Sequence, residues 1–112
     1  TISTQLYSLE TLKEFLGNDN EALNDVLKAF ISSTNENIVL LENAIAEENI
    51  PEINSIAHRI APMFRQIEAR EIAVILKTLE QDHLQISDLK AIYSDLKVKM
   101  SQLFSALQQE IV

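Results

Sequence analysis

The sequence predicts an all-α fold, an antiparallel up-down-up-down four-helix bundle preceded by a short N-terminal helix. Over most of the chain, apolar residues recur at spacings of three and four, which places them on one face of an α-helix. The 112 residues include one glycine and two prolines, fewer than the turns of a β-sandwich or barrel require. Helices with one apolar face each, joined by short connections, bury those faces together as a bundle.

The first two helices are bounded by turn-forming residues. We expect a short helix over residues 9–16, with Ser8 as its N-cap and Gly17 as the left-handed residue that ends it. The polar residues 18–20 then restart the chain, and a long amphipathic helix follows. Its apolar stripe consists of Leu23, Val26, Leu27, Phe30, Thr34, Ile38, Leu41 and Ile45.

Three further helices complete the predicted bundle. Pro51 suits the first position of the third helix, where its missing N–H is not needed, and Ser87 is the expected N-cap of the fifth. The stripe of the third helix comprises Ile53, Ile56, Ala57, Ile60, Phe64 and Ile67. The fourth helix carries Ile72, Ile75, Leu76 and Leu79, and the fifth carries Leu89, Ile92, Tyr93, Leu96, Met100, Leu103 and Leu107.

Composition limits the classes of function. We expect residues 1–112 to form one domain, because this length supports a single core. The net charge of -8 disfavours binding to the phosphate backbone of nucleic acids. The chain has no cysteine, which excludes disulfides and thiolate metal sites. No apolar run approaches the roughly 20 residues that span a bilayer, so direct membrane contact is not expected.

The N-terminus indicates that the chain is part of a longer protein. Residues 1–5 lack the basic and apolar regions of a signal peptide. The chain also begins without methionine. We therefore expect a fragment, whose parent carries any targeting or membrane information.

His58 is the candidate for chemistry. On a helix it lies roughly 150° from the centre of the third stripe, so its imidazole is expected to point away from the core. An unperturbed imidazole has a pKa of about 6.5, so it can attack a phosphoryl group at neutral pH. A lone exposed histidine is more often an ordinary surface residue, and that alternative stays open at this point. His83, near the end of the fourth helix, is expected to be structural because positive charge there suits the helix dipole.

Positive charge surrounds His58 in the sequence. No acidic residue lies between positions 53 and 67, whereas Arg59 and Arg65 both do. Arg65 returns to within roughly 20° of His58 on the helix surface, where it can meet phosphate oxygens. Arg59 lies about 100° away and suits the acidic surface of a partner. A metal site is not predicted, because no second histidine or carboxylate is expected near His58.

Ala61 and Pro62 are expected to shape the surface beside His58. Pro62 has no N–H to donate to the His58 carbonyl four residues earlier, so the helix should bend or loosen there. We hypothesise that this bend and the small Ala61 clear room around the imidazole for an approaching protein.

Several segments together resemble histidine phosphotransfer (Hpt) domains. The similarity runs through residues 8–17, through Ile-Ala-His-Arg-Ile at 56–60, and through Ile-Glu-Ala at 67–69 and Leu-Glu at 79–80. The family pattern is Ala-His-x-Leu-Lys-Gly, followed by small residues and a Leu-Gly-Ala turn. Its histidine aligns with His58, so the resemblance implies that His58 is the phosphorylation site.

Four places depart from the family pattern. Ala61 stands in place of the lysine, Pro62 in place of the glycine, the pair at 63–64 in place of two small residues, and Glu68 in place of the turn glycine. We expect Arg65 to substitute for the missing lysine in balancing phosphate charge.

The resemblance implies a phosphorelay carrier rather than an enzyme. His58 would reversibly accept a phosphoryl group from the phospho-aspartate of a response-regulator receiver domain and pass it to another receiver aspartate. The receiver would supply Mg²⁺, and this domain would need no cofactor or metal of its own. Such domains often belong to hybrid two-component sensor histidine kinases, which implies a cytoplasmic location, including the cytoplasmic part of a membrane-bound kinase. The alternative is a phosphorylation-incompetent bundle that binds a receiver domain or a partner helix as an adaptor.

Overall fold

The all-α prediction is confirmed by the computed structural model, which describes residues 6–81 and 83–111. Most of these residues lie in helices, and none of them lies in a strand. The helices are α1 (Glu10–Phe15), α2 (Asn20–Ala46), α3 (Ile50–Gln66), α4 (Arg70–Leu79) and α5 (Ile86–Glu110). None of these helices combines the length and the apolar composition needed to cross a bilayer. The expectation about a signal peptide concerns residues 1–5, which lie outside the described residues.

Helices α2 to α5 form a ring in which neighbours in the chain are also neighbours in space. α2 packs on α3, α3 on α4 and α4 on α5, and contact between α2 and α5 closes the ring. α4 is the shortest of the four. Its 10 residues span about 15 Å, against about 25 Å for the 17 residues of α3. The chain therefore leaves α4 beside the middle of α3.

The core is built from the predicted stripes. The ring of Phe30 in α2 meets the ring of Phe64 in α3 at a centroid distance of 5.0 Å and that of Phe104 in α5 at 6.0 Å, both edge to face. Such pairs add to the stabilisation from burial of apolar area. Phe64 is fully buried, and further large side chains that are fully buried include Leu12, Leu27, Leu41, Ile53, Ile56, Ile67, Leu76, Leu79, Leu89, Leu96 and Leu103. Four stripe residues are half-buried at the margin of the core, namely Val26, Ile38, Ile75 and Ile92.

Two helices begin with side chains that serve as N-caps. Asp19 accepts a hydrogen bond from the Ala22 N–H (3.1 Å) at the start of α2, and Asn49 accepts one from the Glu52 N–H (3.2 Å) at the start of α3. Both caps satisfy backbone donors that have no partner within the helix. Because Asn49 is the cap, Pro51 is the second residue of α3 rather than the first as predicted.

Two predicted N-caps are wrong. The cap position of α1 is Leu9, one residue after Ser8. Ser8 Oγ accepts a long hydrogen bond from the Glu10 N–H (3.4 Å), and the Ser8 N–H donates to the Ile67 carbonyl (2.8 Å), which ties the chain to the α3–α4 turn. Ser87 lies inside α5. The residue before this helix is Gln85, whose N–H donates to Asp88 Oδ2 (3.3 Å).

Left-handed backbone ends several of the helices. Gly17 has a φ of 66°, as predicted for the residue that ends α1. Glu48 and Glu68 have φ values of 56° and 54°, although this conformation costs a residue with a Cβ atom roughly 1 kcal/mol. The resemblance aligns Glu68 with a turn glycine, so the left-handed turn is present here without the glycine.

Candidate functional site

His58 lies near the middle of α3 and points away from the core. Its helix neighbours Ala57 and Ile60 are buried, whereas 80% of the His58 side chain is exposed. The predicted outward direction of the imidazole is therefore confirmed. The buried neighbours fix α3 against the bundle, so the ring is presented on a rigid support.

A carboxylate contacts the His58 ring, contrary to the expectation from the sequence. Glu80, which follows the last residue of α4, places Oε1 2.8 Å from His58 Nδ1. Only 22% of the Glu80 side chain is exposed, so the carboxylate is the more buried partner. The two residues are 22 positions apart, and packing of α4 on α3 brings them together. The absence of acidic residues between positions 53 and 67 is a property of α3 alone. It does not show which side chains the neighbouring α4 brings close to His58.

The contact with Glu80 determines which ring nitrogen of His58 is available. An ionised carboxylate only accepts hydrogen bonds, so the proton of the neutral imidazole resides on Nδ1. Nε2 then carries an unshared electron pair on a ring that is largely exposed. The carboxylate also balances the positive charge that the ring gains when Nε2 attacks an electrophile. The arrangement is that of a nucleophile oriented by a second group.

Asn54 holds the end of α4 against α3. Its Nδ2 donates to the carbonyl oxygens of Leu79 (2.6 Å) and Gln81 (3.1 Å), the two residues that flank Glu80. The Leu79 carbonyl is among the last four of α4, which have no partner within the helix. The Asn54 amide supplies that partner.

The two arginines near His58 differ in their contacts. Arg59 directs Nε and Nη2 to Oδ1 of Asn37 in α2, at 3.2 and 2.8 Å. Because the Asn37 side chain is neutral, this contact leaves the charge of Arg59 uncompensated. The Arg65 side chain is exposed and forms no hydrogen bond or ion pair with the described residues. It lies on the same side of α3 as His58, about 10 Å further along the axis.

An apolar groove runs between α2 and α3 on the Arg59 side of His58. It has a volume of about 440 Å³, and Asn37 and Arg59 form part of its lining. The apolar lining includes Val26, Ala29 and Phe30 from α2 and Ile60 and Met63 from α3. The groove and His58 lie on adjoining faces of α3, so a protein that contacts one can contact the other.

Ala61 and Pro62 occupy different environments. Ala61 is fully buried, so its side chain is not part of the exposed surface beside His58, and the expectation that its small size clears room there stays a prediction. Its position lies about 60° around the helix from His58, toward the packed side. Pro62 is exposed, and α3 continues through it from Ile50 to Gln66. The bend at Pro62 stays a prediction.

The other histidine and the remaining candidate metal ligands lie apart from this site. His83 was predicted near the end of α4. It is exposed and lies in the α4–α5 connection, beyond the last turn of α4. Across residues 6–81 and 83–111, no group of three or more histidine, aspartate or glutamate side chains is arranged to hold a metal ion. Sequence reasoning missed Glu80 and Asn54. The sequence offered only one signal for Glu80, the Leu-Glu pair at 79–80.

Comparison with known proteins adds a family match to this geometry. The family model of the Hpt domain matches residues 25–110, which cover α3, α4, α5 and most of α2. No curated protein and no solved structure matches the chain. The matched residues include His58, Glu80 and Asn54.

Proposed function

The chain belongs to the Hpt domain family, and on this premise we propose that His58 carries the phosphoryl group. Members of this family act in two-component phosphorelay signalling as carriers rather than as catalysts. One observation carries the proposal: the His58 ring is 80% exposed and its Nδ1 is bound to Glu80. This arrangement supports Nε2 as the nucleophile.

In the proposed transfer, the Nε2 electron pair attacks the phosphorus of a phospho-aspartate in a receiver domain. The N–P bond forms as the bond between phosphorus and the aspartate oxygen breaks, and the receiver aspartate leaves as a carboxylate. Nδ1 keeps its proton, and Glu80 balances the positive charge of the ring. A second receiver aspartate reverses the step by attacking the same phosphorus. Such a transfer depends mainly on positioning and charge.

We assign to Arg65 the charge-balancing role of the family lysine. The lysine position holds the buried Ala61, so no cation projects from it. Side chains on a helix lean toward its N-terminus, which directs Arg65 toward His58. Its planar guanidinium suits two phosphate oxygens at once.

The receiver domain, in this proposal, covers His58, Pro62 and the α2–α3 groove. Hpt domains interact with receiver domains as a family property. The groove offers apolar area, and Arg59 offers a positive charge to an acidic partner. The exposed Pro62 ring, one turn from His58, extends no long side chain over the imidazole. The receiver contributes the Mg²⁺, and this chain contributes the acceptor nitrogen.

Transfer of phosphate to His58 tests the proposal directly. The 112-residue chain, which we propose acts as one domain, is mixed with receiver domains phosphorylated by acetyl phosphate in the presence of Mg²⁺. We expect acid-labile phosphate on the wild type and on His83→Gln, and none on His58→Gln. These are the two histidines of the chain, so each variant controls for the other. A wild type that stays unlabelled by a panel of phosphorylated receivers would contradict the proposal.

The adaptor function remains the second candidate, because a buried alanine replaces the family lysine. An adaptor would bind a receiver domain or a partner helix without accepting phosphate. It would bind the receiver equally well as wild type and as His58→Gln, with no label on either. Calorimetric titration of both proteins with the same receiver, alongside the labelling assay, separates the two functions.

A further inference from the structure

We propose that Asn54 is a positioning residue that keeps Glu80 bound to His58 Nδ1. It acts on the backbone on both sides of Glu80 rather than on the imidazole. The inference rests on the proposed role of His58 as phosphoryl acceptor. Asn54 does not touch the imidazole, and it acts on His58 only through Glu80.

Three hydrogen bonds connect Asn54 to His58 through the end of α4. Asn54 Nδ2 donates to the Leu79 carbonyl (2.6 Å) and to the Gln81 carbonyl (3.1 Å). Between these two residues, Glu80 accepts from His58 Nδ1 (2.8 Å). Asn54 and His58 are one helical turn apart on α3, so both face the same neighbour. The path leaves α3, passes through the end of α4 and returns to α3 one turn later.

Both hydrogens of the Asn54 amide are in use. The amide nitrogen has two donors, and one goes to each carbonyl. The Asn54 side chain is half-buried. The backbone N–H of Glu80 itself donates to the Leu76 carbonyl (3.1 Å), which is the last α-helical hydrogen bond of α4. The backbone of Glu80 is therefore held from both directions, and Asn54 supplies the contacts beyond the helix.

A small displacement of Glu80 would change the reactivity of His58. The Nδ1 contact is 2.8 Å long, so a shift of about 1 Å takes it outside hydrogen-bond range. A neutral imidazole without that contact favours the proton on Nε2, the nitrogen that must attack. Asn54 thus sets the fraction of His58 whose Nε2 electron pair is available.

The tautomer of His58 provides the readout. The nitrogen NMR shifts of the His58 ring are recorded in the unphosphorylated chain at about pH 8, where imidazole is neutral. Asn54→Asp keeps the shape of the side chain and removes both donors. Asn35→Asp makes the same change at an exposed position of α2 and is the matched control. Glu80→Gln is the reference for loss of the carboxylate.

We expect a ring protonated on Nδ1 in the wild type and in Asn35→Asp. Asn54→Asp should shift toward the form protonated on Nε2, in the same direction as Glu80→Gln. Transfer from a phosphorylated receiver should slow on the order of tenfold in Asn54→Asp, with no change in Asn35→Asp. An unchanged tautomer in an Asn54→Asp protein with wild-type helix content by circular dichroism would overturn the proposal.

A second variant covers the case in which Asn54→Asp does not fold. Asn54→Ala removes both donors without adding charge, and the same tautomer shift is expected; a wild-type tautomer there would also overturn the proposal. Because the tautomer is measured without a phosphoryl donor, its outcome is independent of the labelling assay. A shifted tautomer together with an unlabelled wild type would support the positioning role of Asn54 and contradict only the proposed function.

Discussion

Two glutamates on different sides of the bundle each accept a hydrogen bond from a ring side chain, but their surroundings differ. Glu42 of α2 accepts from the Tyr93 hydroxyl (2.8 Å) and pairs with Lys97 Nζ (3.0 Å), both in α5. Glu80 accepts from His58 Nδ1 (2.8 Å), and none of the described lysines or arginines pairs with it. One glutamate has a cation beside it, and the other has only an imidazole.

This difference separates a contact that joins helices from one that, in the proposed function, prepares a nucleophile. Hydrogen bonds from Tyr93 and Lys97, together with the charge of Lys97, lower the pKa of the Glu42 carboxyl. Burial, followed by the bond to Glu42, raises the pKa of the Tyr93 hydroxyl. Both groups keep one protonation state near neutral pH and link α2 to α5. On the other side, none of the described lysines or arginines neutralises Glu80, so in the proposed function its charge balances the ring of His58 instead.

The largest expected effect comes from neutralising each glutamate in turn. Glu80→Gln removes the charge that balances the His58 ring, so we expect phosphotransfer to slow on the order of tenfold or more. Glu42→Gln makes the same change on the α2–α5 side, and its transfer rate should stay within about twofold of the wild type. Quench-flow measurement with a phosphorylated receiver gives both rates. Equal slowing would remove the distinction between the two glutamates.

Charge reversal at one cation on each side gives the next largest effect. Arg65→Glu should slow transfer about fivefold, because an exposed charge contact contributes up to about 1 kcal/mol. Lys97→Glu places a second negative charge beside Glu42, so it should lower stability and leave the transfer rate unchanged. The same kinetic assay compares the two. Similar rates for both variants would show that Arg65 does not take the place of the family lysine.

Tyr93→Phe tests the structural side alone. Loss of the hydroxyl should lower the free energy of unfolding by about 0.5–1 kcal/mol near neutral pH, because one hydrogen bond is lost. Urea denaturation measures this change, and the transfer rate serves as the control. A slower transfer would mean that the two sides of the bundle are coupled.

The pH dependence of stability gives Tyr93→Phe a second signature. The raised pKa of Tyr93 in the folded chain stabilises the wild type below about pH 10, and this contribution is lost as pH rises further. The lowered pKa of Glu42 in the folded chain stabilises the wild type above about pH 4, and that contribution is lost as pH falls. In Tyr93→Phe, we expect a smaller loss of stability both at alkaline pH and at acidic pH. Part of the alkaline loss should persist, because burial and the Glu110 bond raise the pKa of Tyr7 to about 12.

The smallest expected effect concerns the backbone at the two ends of α3. Glu68→Gly should raise the free energy of unfolding by about 0.5 kcal/mol, because glycine adopts the left-handed conformation without strain. Glu48→Gly is the matched variant, since each glutamate has positive φ and one long ion pair of 3.6 Å, to Arg70 or Lys90. Thermal unfolding compares them. A change in transfer rate in Glu68→Gly would show that the α3–α4 turn also positions Glu80.

Local pattern accounts for most of the bundle and for the direction of His58. The period of the helix determined which residues of α3 face the core, and therefore that Phe64 is buried and His58 is not. Helix ends were less predictable. Ser8 and Ser87 both have the chemistry of an N-cap, but Ser8 lies one residue before the cap position of α1 and Ser87 lies inside α5.

The partners of His58 could not be predicted from the same pattern. Glu80 and Asn54 are brought together by the packing of α4 on α3, which depends on where α4 ends and how closely the two helices approach. The burial of Ala61 depends on the neighbouring helices in the same way. Periodicity along one helix contains no information on any of these contacts.

The length of α4 determines whether Glu80 can meet His58 at all. Each residue of a helix adds about 1.5 Å along the axis and turns the chain by about 100°. One residue inserted between Arg70 and Leu79 would carry Glu80 around the axis and away from the imidazole. One inserted after Gln81 would only lengthen the connection to α5. Insertions and deletions should therefore be excluded between Arg70 and Gln81 and tolerated immediately beyond Gln81.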